Sequence, residues 1–142
     1  MSYAAQSDLV ARYGSEMLIE LTDRADPPAG TIDASVVTQA LTDADAVING
    51  YLLGRYTLPL ATTPPLLKDL AVPIAVYKLH RDTVSEKVRL DYQDALKMLS
   101  QIAAGAVRLT VAGIEPAASG ASGVRTTDRA RPLTPENLKG FI

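Results

Sequence analysis

Apolar residues recur with helical spacing along the first hundred positions, and five helices follow from them. The clearest stripe is Val36, Val37, Ala40, Leu41, Ala44, Val47, Ile48, Tyr51 and Leu52, with Gln39, Asp43, Asp45 and Asn49 on the other side. Asp33 is a good N-cap for this helix and Gly54 a natural stop. Ahead of it, Ser7 can cap a short helix over 8–13 that Gly14 ends, and Ser15 can cap another over 16–21. Both are too short to be stable alone and must dock on something larger. Pro27, Pro28 and Gly30 mark residues 22–31 as a loop.

Thr63 is placed to cap a fourth helix with Pro64 at its first position, where a missing N–H costs nothing. Leu66, Leu67, Leu70, Ile74, Tyr77 and Leu79 supply its apolar face. So few of its positions are strongly polar that it reads as the central helix. Pro73 lies inside it, removes one backbone bond and predicts a kink without a break. Ser85 begins a fifth helix with the stripe Val88, Tyr92, Ala95, Leu96, Leu99 and Ile102, and Gly105 ends it. Lys87 and Asp91 within it are spaced for a weak ion pair. Residues 107–111 alternate as one short strand would, with no partner strand in the chain.

Beyond that point the pattern stops. Residues 112–123 are mostly Ala, Gly and Ser, and 125–131 are polar and basic, a composition that cannot bury enough surface to fold alone. Thr134 then offers a cap, and the chain closes on Leu138, Phe141 and Ile142, which call for burial against some surface. The predicted fold is all-α: a small antiparallel bundle of about five helices over residues 1–106, with an extended C-terminal arm over 107–142.

Composition narrows the chemistry. The chain has 142 residues, 47% of them apolar, enough for one domain with a real core. Charge is near balance, with 14 basic against 16 acidic residues, so bulk attraction to nucleic acid is not expected. There is no cysteine and one histidine, which excludes disulfides, thiolate metal sites and multi-histidine sites. No apolar run approaches the ~20 residues that span a bilayer, and the N-terminus lacks the basic start and apolar stretch of a signal peptide. The expected setting is the cytoplasm, or a particle assembled there, with no membrane partner.

Asp23, Asp26, Gly30 and Asp33 invite a calcium-loop reading, but Pro27 and Pro28 stand where middle ligands belong and the twelfth position holds no Glu. A turn followed by the Asp33 cap is the better reading. Asp43 and Asp45 diverge by about 200° on a helix and cannot share a proton, so they read as a solvated face. His80, beside Arg81 and Asp82, has no recognisable nucleophile near it and fits a helix end, where a cation suits the dipole. No glycine-rich phosphate loop is present. Neither catalytic residues nor a cofactor is expected. Arg125, Arg129 and Arg131 are the best basic cluster; they could touch DNA or simply be a solvated linker. Residues 112–142 carry four basic and three acidic groups, opposite in net sign to the rest of the chain, which would help subunits join head to tail.

Several segments together resemble one family. They are SDLVARYG at 7–14, LIELTDR at 18–24, AVINGYLLGRYTLPL at 46–60, PPLLKDLAVPIAVYKL at 64–79, YQDAL at 92–96 and LKGF at 138–141. In order and spacing they resemble the Mu gp36-like group of small head–tail connector proteins of tailed phages. Where those proteins often carry a shorter turn rich in Asp and Gly, this chain has ADPPAG at 25–30. The resemblance implies a structural virion protein. It would be an adaptor docking beneath the portal as a ring of about twelve copies, lining part of the DNA channel with non-specific DNA contact and receiving the stopper or tail. It also implies that the C-terminal arm reaches the portal or a neighbouring subunit. Arg125, Arg129, Arg131, Leu133, Leu138, Phe141 and Ile142 are then the partner-binding residues. A stopper or tail-completion protein is the alternative within the virion. A DNA-binding packaging factor is the alternative of another class, though it would want a basic recognition helix, and the third and fifth helices are acidic or balanced.

Overall fold

The structure, a computed structural model, describes residues 2–110, and their regular elements are five α-helices. They are α1 (Gln6–Tyr13), α2 (Ser15–Thr22), α3 (Ala34–Leu52), α4 (Pro65–Leu79) and α5 (Glu86–Ala104). The all-α expectation holds. No strand is present among the described residues. The segment 107–110, expected to begin one, is irregular and is held by the body instead, as described below.

Helix α4 is the centre. Every residue from Leu70 to Val76 is buried, with α3 packed on one side and α5 on another. A helix covered this completely cannot afford a polar stripe, which is why its sequence shows almost none. The start of α3 lies by the end of α4 (Ser35 and Gln39 with Lys78 and Leu79), and the start of α4 by the second half of α5 (Asp69 and Leu70 with Ala95 and Met98). The three long helices therefore run up, down and up. Ile48, Leu52, Leu67, Ile74, Leu79, Leu99 and Ile102 fill the space between them with no exposed surface or almost none. The pair α1–α2 lies across α3 and α4 and adds Leu9 and Leu18 to the same core. Tyr51 packs against the core half-buried, while Leu70 lies at its edge.

Helix boundaries follow local chemistry, with three shifts from the expected positions. Helix α1 begins two residues early, so Ser7 lies inside it. Its first turn is held by Asp8, whose carboxylate accepts the Ala5 N–H at 2.9 Å and pairs with Lys68 of α4 at 2.7 Å. Ser15 is the first residue of α2, not its cap; Gly14, at φ +84°, makes the turn between the two helices. Pro64, expected as the first residue of α4, is its N-cap, at φ −61° and ψ 141°, and Pro65 takes the first position. The reason is steric: a residue that precedes proline is pushed out of the helical region, so Pro64 cannot be helical before Pro65. Asp33 and Ser85 cap as expected, with Asp33 Oδ1 accepting the Ser35 N–H at 2.8 Å and Ser85 Oγ accepting the Val88 N–H at 3.4 Å.

Helix α4 runs unbroken through Pro73. The missing Pro73 N–H leaves the Asp69 carbonyl without its helical donor. Arg12 of α1 fills that place, its Nη1 donating to Asp69 O at 3.2 Å. A sequence fault in one helix thus becomes a tie to another.

Candidate assembly surfaces

The seven residues singled out in the sequence as partner-binding, Arg125, Arg129, Arg131, Leu133, Leu138, Phe141 and Ile142, lie outside the described residues. What is described is the place where their segment leaves the body. Gly105 closes α5 at φ +81°, and a Cβ there would collide with the Arg55 guanidinium. Ala106 and Val107 both donate their N–H to Gln101 O, at 2.9 and 3.3 Å. Leu109 is buried, and its N–H donates to the hydroxyl of Tyr56, itself buried, at 3.1 Å. The root of the C-terminal segment is therefore fastened to the α3–α4 loop. Nothing in the sequence marks Tyr56 for this role, because its partner lies 53 residues away.

The opposite terminus is fastened as well. Tyr3 is buried, its N–H donates to Asp45 Oδ1 at 2.9 Å and its hydroxyl to Asn49 Oδ1 at 2.5 Å. Burial, then the nearby Asp45 carboxylate, pushes the Tyr3 hydroxyl up from its ordinary pKa. Asp45 is thus half-buried and engaged. The solvated-face reading of Asp43 and Asp45 gives way to two separate contacts, for Asp43 accepts from Gln39 Nε2 at 2.9 Å.

Two grooves lie on opposite parts of the helix bundle among the described residues. One lies between α1, α4 and α5, a hollow of about 330 Å³ floored by Tyr13, Leu70, Pro73, Ala95 and Met98. It continues past Arg12, Tyr13 and Lys87 into a second hollow of about 220 Å³ that adds Met17 and Val88. Its rim carries Asp69, Asp91 and Asp94, of which Asp91 pairs with Lys87 at 2.6 Å. Burial and then the Asp91 carboxylate raise the Tyr13 hydroxyl. The other groove, at the α2–α3–α4 end, is polar and of mixed charge, lined by Arg24, Gln39, Asp43 and Lys78, with Glu20, His80, Arg81 and Asp82 in an adjoining hollow. His80 caps α4, its Nδ1 2.8 Å from Val76 O. The nearby loop is a turn as expected: Asp23 accepts the N–H groups of Gly30 (2.7 Å) and Ala25 (3.3 Å), and buried Thr22 Oγ1 accepts the Asp33 N–H at 3.1 Å.

A third feature joins the long helices. The rings of Tyr77 and Tyr92 stack with centroids 3.9 Å apart and planes 7° from parallel. Burial, then Tyr77 and Tyr51, raise the Tyr92 hydroxyl. Among the described residues no helix is long and apolar enough to cross a membrane.

The family described as "Bacteriophage Mu, Gp36" matches residues 3–127. The chain is 31% identical over 140 residues to the Mu-like prophage FluMu protein gp36 of Haemophilus influenzae, covering 99% of this chain and 98% of that protein. It is 34% identical over 142 residues to gene product J of Escherichia phage Mu, covering the whole of both. The likeness thus runs through the helical body and into the C-terminal segment, and the chain belongs to the Gp36 family of Mu-type bacteriophages.

Proposed function

We propose that this chain is a structural virion protein without catalytic activity, a head–tail adaptor that forms a ring beneath the portal. It lines part of the DNA channel and receives the stopper or tail. The observation that carries the reading is the likeness to the Gp36 proteins of Mu-type phages along nearly the whole chain, a group whose resemblance implies head–tail joining. The geometry supports it in kind. Ring closure needs two different surfaces on each copy. A compact helical body supplies one, and a C-terminal segment that starts from a fixed root and ends in Leu138, Phe141 and Ile142 supplies the other. Assembly would take place in the host cytoplasm, with the finished protein in the neck of the particle.

The test is the mass of the purified protein, alone and mixed with the portal of the same phage, with electron microscopy of any complex. The adaptor reading expects a ring on the portal. A monomer that ignores the portal but binds tail-less heads identifies a stopper, and binding to free DNA identifies a packaging factor.

A further inference from the structure

The apolar groove between α1, α4 and α5 has no occupant within the described body. The chain also carries an apolar end with no described place to bury. Leu138, Phe141 and Ile142 are spaced three and one residues apart, which places them on one helical stripe. A short amphipathic stretch of this kind fits a helix-in-groove mode of docking. The groove floor runs along α5 from Val88 to Met98, about 15 Å at the helical rise, and the eight residues after the Thr134 cap would cover about 12 Å of it as a helix. Charge agrees too. Arg125, Arg129 and Arg131 precede the apolar end, and the groove carries Asp69, Asp91 and Asp94 against Arg12 and Lys87, three acidic groups to two basic. Reach is no obstacle, since the steps from Thr110 to Leu133 span up to roughly 75 Å if extended.

We infer that the groove of one copy receives residues 133–142 of a neighbouring copy, with Leu138, Phe141 and Ile142 against Tyr13, Leu70 and Met98. The inference rests on the ring reading for its choice of a neighbour over the same chain, because a tail docked on the next body is a heterologous contact that can close a ring, whereas one docked on its own body joins no copies.

The chain has no cysteine, so single thiols report proximity cleanly. Copies bearing Met98→Cys are mixed with copies bearing Gly140→Cys, oxidised mildly, and read on a non-reducing gel, both as the protein alone at high concentration and on the portal. The exposed rim position Asp94→Cys repeats the test without touching the groove floor, and exposed Thr38→Cys on α3 gives the collision background. The expected result is a disulfide-linked dimer several-fold above that background, reduced when Phe141→Ser is added to the Gly140→Cys copy. No excess over Thr38→Cys in either setting overturns the inference. So does a link formed only within one chain carrying both thiols, which would place the segment on its own body. A link seen in the protein alone stands even if the portal is ignored, so the groove and the adaptor reading fail separately.

Discussion

Asp8, Asp23 and Asp33 each spend their carboxylates on the backbone at the start of a helix or loop. The Lys68 ammonium, then the Ala5 N–H, lower the Asp8 pKa; the Gly30 and Ala29 N–H groups lower that of Asp23; the Ser35 hydroxyl and N–H lower that of Asp33. A carboxyl held below its unfolded value contributes stability that is present above about pH 4 and is lost as pH falls through the folded value. The urea midpoint should therefore drop between pH 6 and pH 3, and Asp33→Asn should lose a smaller part of its stability over that range. A midpoint that stays level on acidification would contradict the assignment. Gly105 gives a second test at this scale. Gly30 and Gly105 both have positive φ, but a Cβ at Gly30 meets open space while one at Gly105 meets Arg55. Gly30→Ala should cost about 1 kcal/mol from backbone strain alone. Gly105→Ala should cost at least as much in the same denaturation experiment, since it meets the same backbone strain and the flexible end of Arg55 must also shift.

At the scale of the element, α4 decides the fold, and its two leucines separate core from groove. Leu67 is fully buried, whereas Leu70 is 9% exposed and lines the groove. Leu67→Ala should lower stability within the range of about 2–5 kcal/mol typical of sealed core sites, and Leu70→Ala should fall at or below its lower end. Chemical denaturation of the two variants checks the order. A Leu67→Ala loss well under about 1 kcal/mol would remove α4 from the centre. The same helix shows what pattern alone can miss. Its face, its centrality and the continuity through Pro73 were all legible in the sequence. Its start was misplaced by one residue because two prolines in succession each satisfy the rule for a first position. Only the restriction on the residue before proline chooses between them.

Across the whole molecule, the fastening of residues 105–110 divides two truncations that differ by six residues. Deleting 112–142 should leave the helical body melting cooperatively while abolishing particle joining. Deleting 106–142 also removes Leu109 and its bond to Tyr56, and should lower stability by about 1–3 kcal/mol further. Thermal melts of both, with a head–tail joining assay for the first, check this. A body that melts without cooperativity after the shorter deletion would mean that the C-terminal segment is part of the core.

Helical period, capping residues and composition by themselves determined five helices and which of their faces are apolar. These are local properties, set within a turn or two by side-chain spacing and backbone preference. The tertiary structure alone decided which contacts join residues distant in the chain. Asp45 holds Tyr3, Arg12 serves the carbonyl orphaned by Pro73, Tyr56 fixes Leu109, and Tyr13, Leu70 and Met98 meet in one groove from three helices. Each of these joins residues far apart in the chain. A hydrogen-bond partner or groove wall of that kind leaves no periodic trace, because it is fixed by how the helices pack and not by the sequence around either residue.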